Sequence, residues 1–129
     1  MAEKFSFRHN DMNALEQNPK VSKGRIFVGV EAIYSMDGDQ SPLSEIVELA
    51  QKYEVYIIVD EPHSTGTVGE IGEGLCVSFG LETKIWARIY IFGKALGASA
   101  GLLAIRQTTR KYLINKSHPL IYSTAPMPV

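Results

Sequence analysis

Four short apolar runs punctuate the chain, at positions 26–30, 55–59, 85–92 and 102–105. The run Val55-Tyr56-Ile57-Ile58-Val59 is dense in β-branched residues, the composition of a strand buried on both faces of a parallel sheet. Between the first two runs, Leu43, Ile46, Val47, Leu49 and Ala50 recur at helical spacing. That spacing predicts an amphipathic helix from Pro42 to about Tyr53. Ser41-Pro42 opens it, with Pro42 at the first helical position and Glu45 one turn in. Strand, helix and strand make a βαβ unit, so the strands at 26–30 and 55–59 are expected to be parallel neighbours through a right-handed crossover.

The flanks are plainer. Phe5-Ser6-Phe7 alternates, Asn10-Asp11 supplies a cap for a helix over 12–17, and Pro19 is expected to end it. After the second run, Ser64 to Gly74 carries Gly66, Gly69, Gly72 and Gly74 with little bulk, which predicts a mobile surface loop. A glycine-rich loop can cradle phosphate. Here Glu70 and Glu73 would repel it, and no strand-to-helix junction is expected to follow. A small-residue turn, Gly93 to Gly101, joins the runs at 85–92 and 102–105. A helix over 107–115 ends in Arg110, Lys111 and Lys116, and Leu120-Ile121-Tyr122-Ser123 is a last apolar piece before Pro126 and Pro128. There is no internal repeat. The pattern predicts the α/β class, a mostly parallel sheet in a single unit over 1–129.

Composition narrows the function classes. At 129 residues with 45% hydrophobic and 21% charged content, the chain can build one modest core of the ordinary globular kind. A net charge of -1 gives no electrostatic reason to expect nucleic acid or an anionic membrane. The single cysteine, Cys76, excludes an internal disulfide and a cysteine metal cluster, so a reducing, cytoplasmic setting is expected. The opening residues hold no apolar signal core. The most hydrophobic region, 85–105, is broken by Arg88 and Lys94, so no membrane span is expected.

The candidate chemistry stands at strand ends. Asp60 follows one apolar run and Lys94 another, and in open α/β sheets ligands bind at the carboxyl edge. A lysine there is ordinarily just solvated. Gly93, Ala95, Gly97, Ala98 and Ser99 around Lys94 leave room for a bulky group to approach, and an amine in such a pocket can attack a carbonyl to give a Schiff base. The aldehyde cofactor pyridoxal phosphate needs that lysine and an acid at its ring nitrogen, for which Asp60 is the candidate. His63 and Ser35, also at strand ends, could serve the ring oxygen. Two other readings fail on sequence grounds. Tyr56 to Glu61 has the look of a Walker B strand, but no GxxxxGK[ST] loop accompanies it. Asp37-x-Asp39-x-Ser41 with Glu48 has partial calcium-loop spacing, but Pro42 stands where the turn glycine belongs, and the stretch is expected to be a helix-capping turn.

Ser35-Met36-Asp37-Gly38-Asp39, Val59-Asp60-Glu61-Pro62-His63-Ser64-Thr65-Gly66 and Phe92-Gly93-Lys94-Ala95-Leu96-Gly97 resemble the α-oxoamine synthase family of pyridoxal-phosphate enzymes. Phe7-Arg8-His9-Asn10-Asp11 and Tyr122-Ser123-Thr124-Ala125 match the same family. The resemblance implies part of the α/β/α large domain of the fold-type I architecture. It also implies a cytoplasmic homodimer that joins an amino acid to an acyl-CoA, usually with loss of carbon dioxide. By resemblance Lys94 is the Schiff-base lysine, Asp60 the partner of the pyridine nitrogen, His63 the histidine near the ring oxygen, Ser35 the hydroxyl beside it, and Glu31 an acid close to the substrate. Two departures stand out. The resemblance covers the middle of the family's large domain, without the segment bearing the ring-stacking histidine or the small domain. Ile91 also stands where the family has a phosphate-binding threonine, three residues before the lysine. The rival expectation is a non-catalytic remnant or an interaction partner of a longer homologue.

Overall fold

The computed structural model describes residues 3–125. Its centre is a four-stranded sheet in the order β1-β2-β3-β4, with β1 at Phe27–Glu31, β2 at Tyr56–Asp60, β3 at Ala87–Ile91 and β4 at Gly101–Ile105. β1, β2 and β3 are parallel, and β4 returns antiparallel along β3. The helix α1 spans Met12–Val21 and α2 spans Leu43–Tyr53. α2 is the crossover between β1 and β2, as its apolar spacing requires. The short α3 is Leu75–Ser78, α4 is Gln107–Lys116 and α5 is His118–Ile121.

The core lies on one face of the sheet. Leu43, Ile46, Val47 and Ala50 of α2 are buried together with Val30, Ile57 and Val59. Side chains alternate along a strand, so Tyr56, Ile58 and Asp60 point the other way. That second face is open: Phe27 is 48% exposed and Tyr56 37%, where Val59 is fully buried. The expectation that the second strand is buried on both faces is therefore wrong. Phe27 stacks on Tyr56 at 5.1 Å, and both meet the edge of Trp86, which shields part of this face without covering it.

Other expectations need correcting. Pro19 lies inside α1 and does not end it. The helix runs on to Ser22, whose N–H donates to Asn18 O at 3.1 Å. Its second half is held by Glu16, which accepts from Lys52 Nζ and Tyr53 Oη of α2, both at 2.7 Å, and from Lys20 Nζ at 3.0 Å. Pro42 is the residue before α2, not its first. Phe5-Ser6-Phe7 forms no strand. The glycine-rich loop lies at the surface, with Gly66, Thr67, Gly69, Glu70 and Ile71 exposed, but its ends are tied down. Ser64 and Thr65 are buried, Gly66 N–H donates to Gly72 O at 2.8 Å and Gly74 N–H to Val68 O at 2.9 Å. α3 does follow it. Asp39 does not cap α2; it accepts from Asn10 Nδ2 at 2.8 Å and pairs with His9 Nε2 at 2.8 Å, tying the N-terminal segment to the turn after β1. The last apolar piece begins inside α5, and Pro126 and Pro128 lie outside the described residues.

Candidate active site

The carboxyl ends of β1, β2 and β3 gather the candidate groups. Glu31 is the register partner of Asp60, and Asp60 that of Ile89. The three side chains therefore share the open face. Backbone bonds fix Asp60 from both sides: Ala32 N–H donates to Asp60 O at 2.7 Å, and Glu61 N–H to Ile89 O at 2.8 Å. Asp60 Oδ1 is buried and has no hydrogen-bond partner among the described residues. Burial pushes the Asp60 carboxyl above its ordinary pKa, and the Glu31 carboxylate adds to the rise, while the Glu61 N–H and His63 pull the other way. An acid held like this asks for a donor.

Ser35 reaches the same edge through its backbone, whose N–H donates to Glu31 Oε2 at 3.1 Å. The turn it opens is closed by Gly38 N–H to Tyr34 O at 2.8 Å. His63 sits half-buried on the turn after β2. Lys94 is exposed in the turn after β3, where Gly97 N–H donates to its carbonyl at 3.1 Å. β2 and β3 are parallel neighbours, so Asp60 and Lys94 leave the sheet at the same edge. The loop after His63 also packs on the Lys94 turn. A Cβ on Gly66 (φ +81°) would lie 3.1 Å from Ala95 Cβ and 3.2 Å from Leu96 Cδ2, an approach that glycine alone makes without strain. Ile91 lies two residues beyond Ile89 and so shares the face of Asp60; it is 39% exposed.

Sequence reasoning passed over Glu61. Alternation puts it on the core face, where it is fully buried. The signal was available, because consecutive acids at a strand end cannot both face the same side.

The profile of the aminotransferase class I and II family matches residues 2–129. The chain belongs to this family. It is 39% identical to 8-amino-7-oxononanoate synthase of Fervidobacterium nodosum, over 98% of this chain and 33% of that protein. It is 40% identical to the Emericella nidulans enzyme of the same name, over 84% and 28%. Among solved structures, serine palmitoyltransferase of Sphingomonas wittichii superposes with a TM-score of 0.86 at 29% identity, covering 93% of this chain and 31% of that one. The 8-amino-7-oxononanoate synthase of Francisella tularensis superposes with a TM-score of 0.71 at 27% identity, covering 86% and 32%. A further serine palmitoyltransferase structure, with PLP, gives 0.85 at 30% identity. The sheet and helices described above are thus part of the fold of these enzymes, and the chain spans about a third of the length of the curated relatives it matches.

Proposed function

We propose that this chain forms the cofactor-binding edge of a pyridoxal-phosphate-dependent acyltransferase that condenses an amino acid with an acyl-CoA. The observation that carries the reading is Asp60, whose buried Oδ1 lacks a partner among the described residues at the sheet edge that Lys94 shares. A protonated ring nitrogen is the donor that oxygen is missing, so the residues present fit the group. Bound there, pyridoxal phosphate supplies an electron-withdrawing ring that stabilises negative charge on an amino-acid carbon. Asp60 would keep the proton on the ring nitrogen. Lys94 Nζ would be the point of attachment and, once displaced, the base that moves a proton at the substrate. His63 would donate to the ring oxygen with the Ser35 hydroxyl beside it, and Glu31 would lie near the amino acid. Ile91 offers no hydrogen bond to a phosphate, so the fit is weakest there. In the whole enzyme the proposed setting is a cytoplasmic homodimer.

One observation favours a second reading. The open sheet face, with Phe27 48% and Leu103 44% exposed, suits a non-catalytic partner of a longer homologue. Incubation with pyridoxal phosphate separates the two. An absorbance band that saturates, is fixed by borohydride and maps to Lys94 supports the first reading, with no such band in Lys94→Ala. Label spread evenly over surface lysines refutes it and favours the second.

A further inference from the structure

We infer that Glu61 is a positioning residue: from the dry side of the sheet it holds the turn that presents His63 at the carboxyl edge of β2. Five hydrogen bonds converge on it. Its Oε1 accepts from Ser64 Oγ and from Cys76 N–H, both at 3.0 Å. Its carbonyl accepts from Thr65 N–H at 3.0 Å and Thr65 Oγ1 at 2.6 Å, and its own N–H donates to Ile89 O at 2.8 Å. One residue thereby ties β3, the turn after β2 and the start of α3 to the end of β2.

The bonds bracket His63. Glu61, Pro62, Ser64 and Thr65 are all buried, and His63 between them is not. The turn is anchored on both sides of the histidine, which leaves the imidazole as the part that projects. Thr67 Oγ1 adds a bond to His63 O at 2.7 Å. Room for the carboxylate comes from Gly74 (φ +93°), where a Cβ would stand 2.9 Å from Glu61 Oε1. Behind it the Tyr90 hydroxyl accepts from Arg88 Nη1 at 2.7 Å. Its acidity is suppressed, with a pKa pushed up to about 12, first by burial and in part by Glu61. Tyr90 therefore keeps its proton beside a carboxylate whose Oε2 has no partner among the described residues.

The consequence for cofactor rests on the proposed function, whereas the geometry does not. The test uses Glu61→Ala, Glu61→Gln and His63→Ala in the full chain. The chain has three histidines, so their imidazole Cε1–H resonances can be followed one by one. In Glu61→Ala the His63 resonance should move and broaden while those of His9 and His118 stay in place, and Glu61→Gln, which still accepts from Ser64 and Cys76, should restore it. An unmoved His63 resonance, or all three moving together, overturns the inference. If Glu61→Ala does not fold, Ser64→Ala, which removes one bond to the carboxylate, carries the same test. With pyridoxal phosphate, Glu61→Ala should raise the half-saturating concentration about tenfold, the scale of one displaced hydrogen bond. In the His63→Ala background the rise should fall below about twofold. Equal losses in both backgrounds mean a general structural role and overturn the inference. A parent chain that takes up no pyridoxal phosphate refutes the proposed function and leaves the resonances to decide the role of Glu61.

Discussion

Replacing Ile91 with threonine tests the proposed phosphate contact. The position lies two residues beyond the register partner of Asp60, so its side chain is on the open face with Asp60 and not in the core. A hydroxyl there could donate to a phosphate oxygen. A hydrogen bond to a charged group is worth roughly 1.5–3 kcal/mol, or about ten- to a hundredfold in affinity. The opposing cost is small. Ile91 is already 39% exposed, so trimming it loses less apolar burial than a core site would, about 1 kcal/mol or less. Threonine also suits a strand. Ile91→Thr should therefore lower the pyridoxal phosphate concentration for half-maximal absorbance at least severalfold with a nearly unchanged melting temperature. The titration is run on parent and variant side by side, with melting curves of both. A folded Ile91→Thr that binds equally or more weakly refutes the phosphate-site reading of this position.

Two further outcomes concern charge. Because burial and Glu31 raise the Asp60 pKa, its ionisation weakens the fold, a penalty absent at low pH and present once pH exceeds the folded pKa. Asp60→Asn should thus raise the melting temperature at pH 7, lose that advantage near pH 3, and weaken cofactor uptake throughout; a variant less stable than the parent at pH 7 contradicts the assignment. Glu16 behaves oppositely, its pKa lowered to about 2 chiefly by the hydrogen bond from Lys52 and then that from Tyr53. Its stabilisation is present above about pH 4.5 and lost as pH falls toward 2, so Glu16→Gln should melt earlier than the parent at pH 7 and alike at pH 2.

Much of the architecture was legible because period and length speak to it directly. Leu43, Ile46, Val47 and Ala50 gave α2, and the β-branched run gave β2 and its parallel pairing with β1. What misled was local chemistry whose outcome depends on distant partners. Pro19 reads as a helix stop, yet Glu16 braces that end of α1 against Lys52 and Tyr53, contacts that sequence spacing does not reveal. The glycines after Ser64 read as slack. In the fold their positive φ angles close tight turns around Glu61 and against Ala95. For the site, the strand ends pointed to Asp60 and Lys94, and the parallel pairing of β2 with β3 brings the carboxyl ends of those two strands to one edge. The open second face could not be read from Tyr56-Ile57-Ile58-Val59, since a strand covered on one side by helices and one covered on both can carry the same apolar run.

Asp60 and Glu61 are neighbours in the chain but occupy opposite sides of the sheet, one on the open face and one sealed in the core. Moving β2 by a single residue against its neighbours would exchange them. The open face would receive the longer acid, already committed to five bonds, and the core would receive a carboxylate with no donors arranged for it. Insertion or deletion of one residue anywhere between Tyr56 and Asp60 is thus a chemical lesion as well as a packing one. Ile57 and Val59, locked under α2, keep the frame of this strand, and with it the identity of the acid that faces the open side of the sheet.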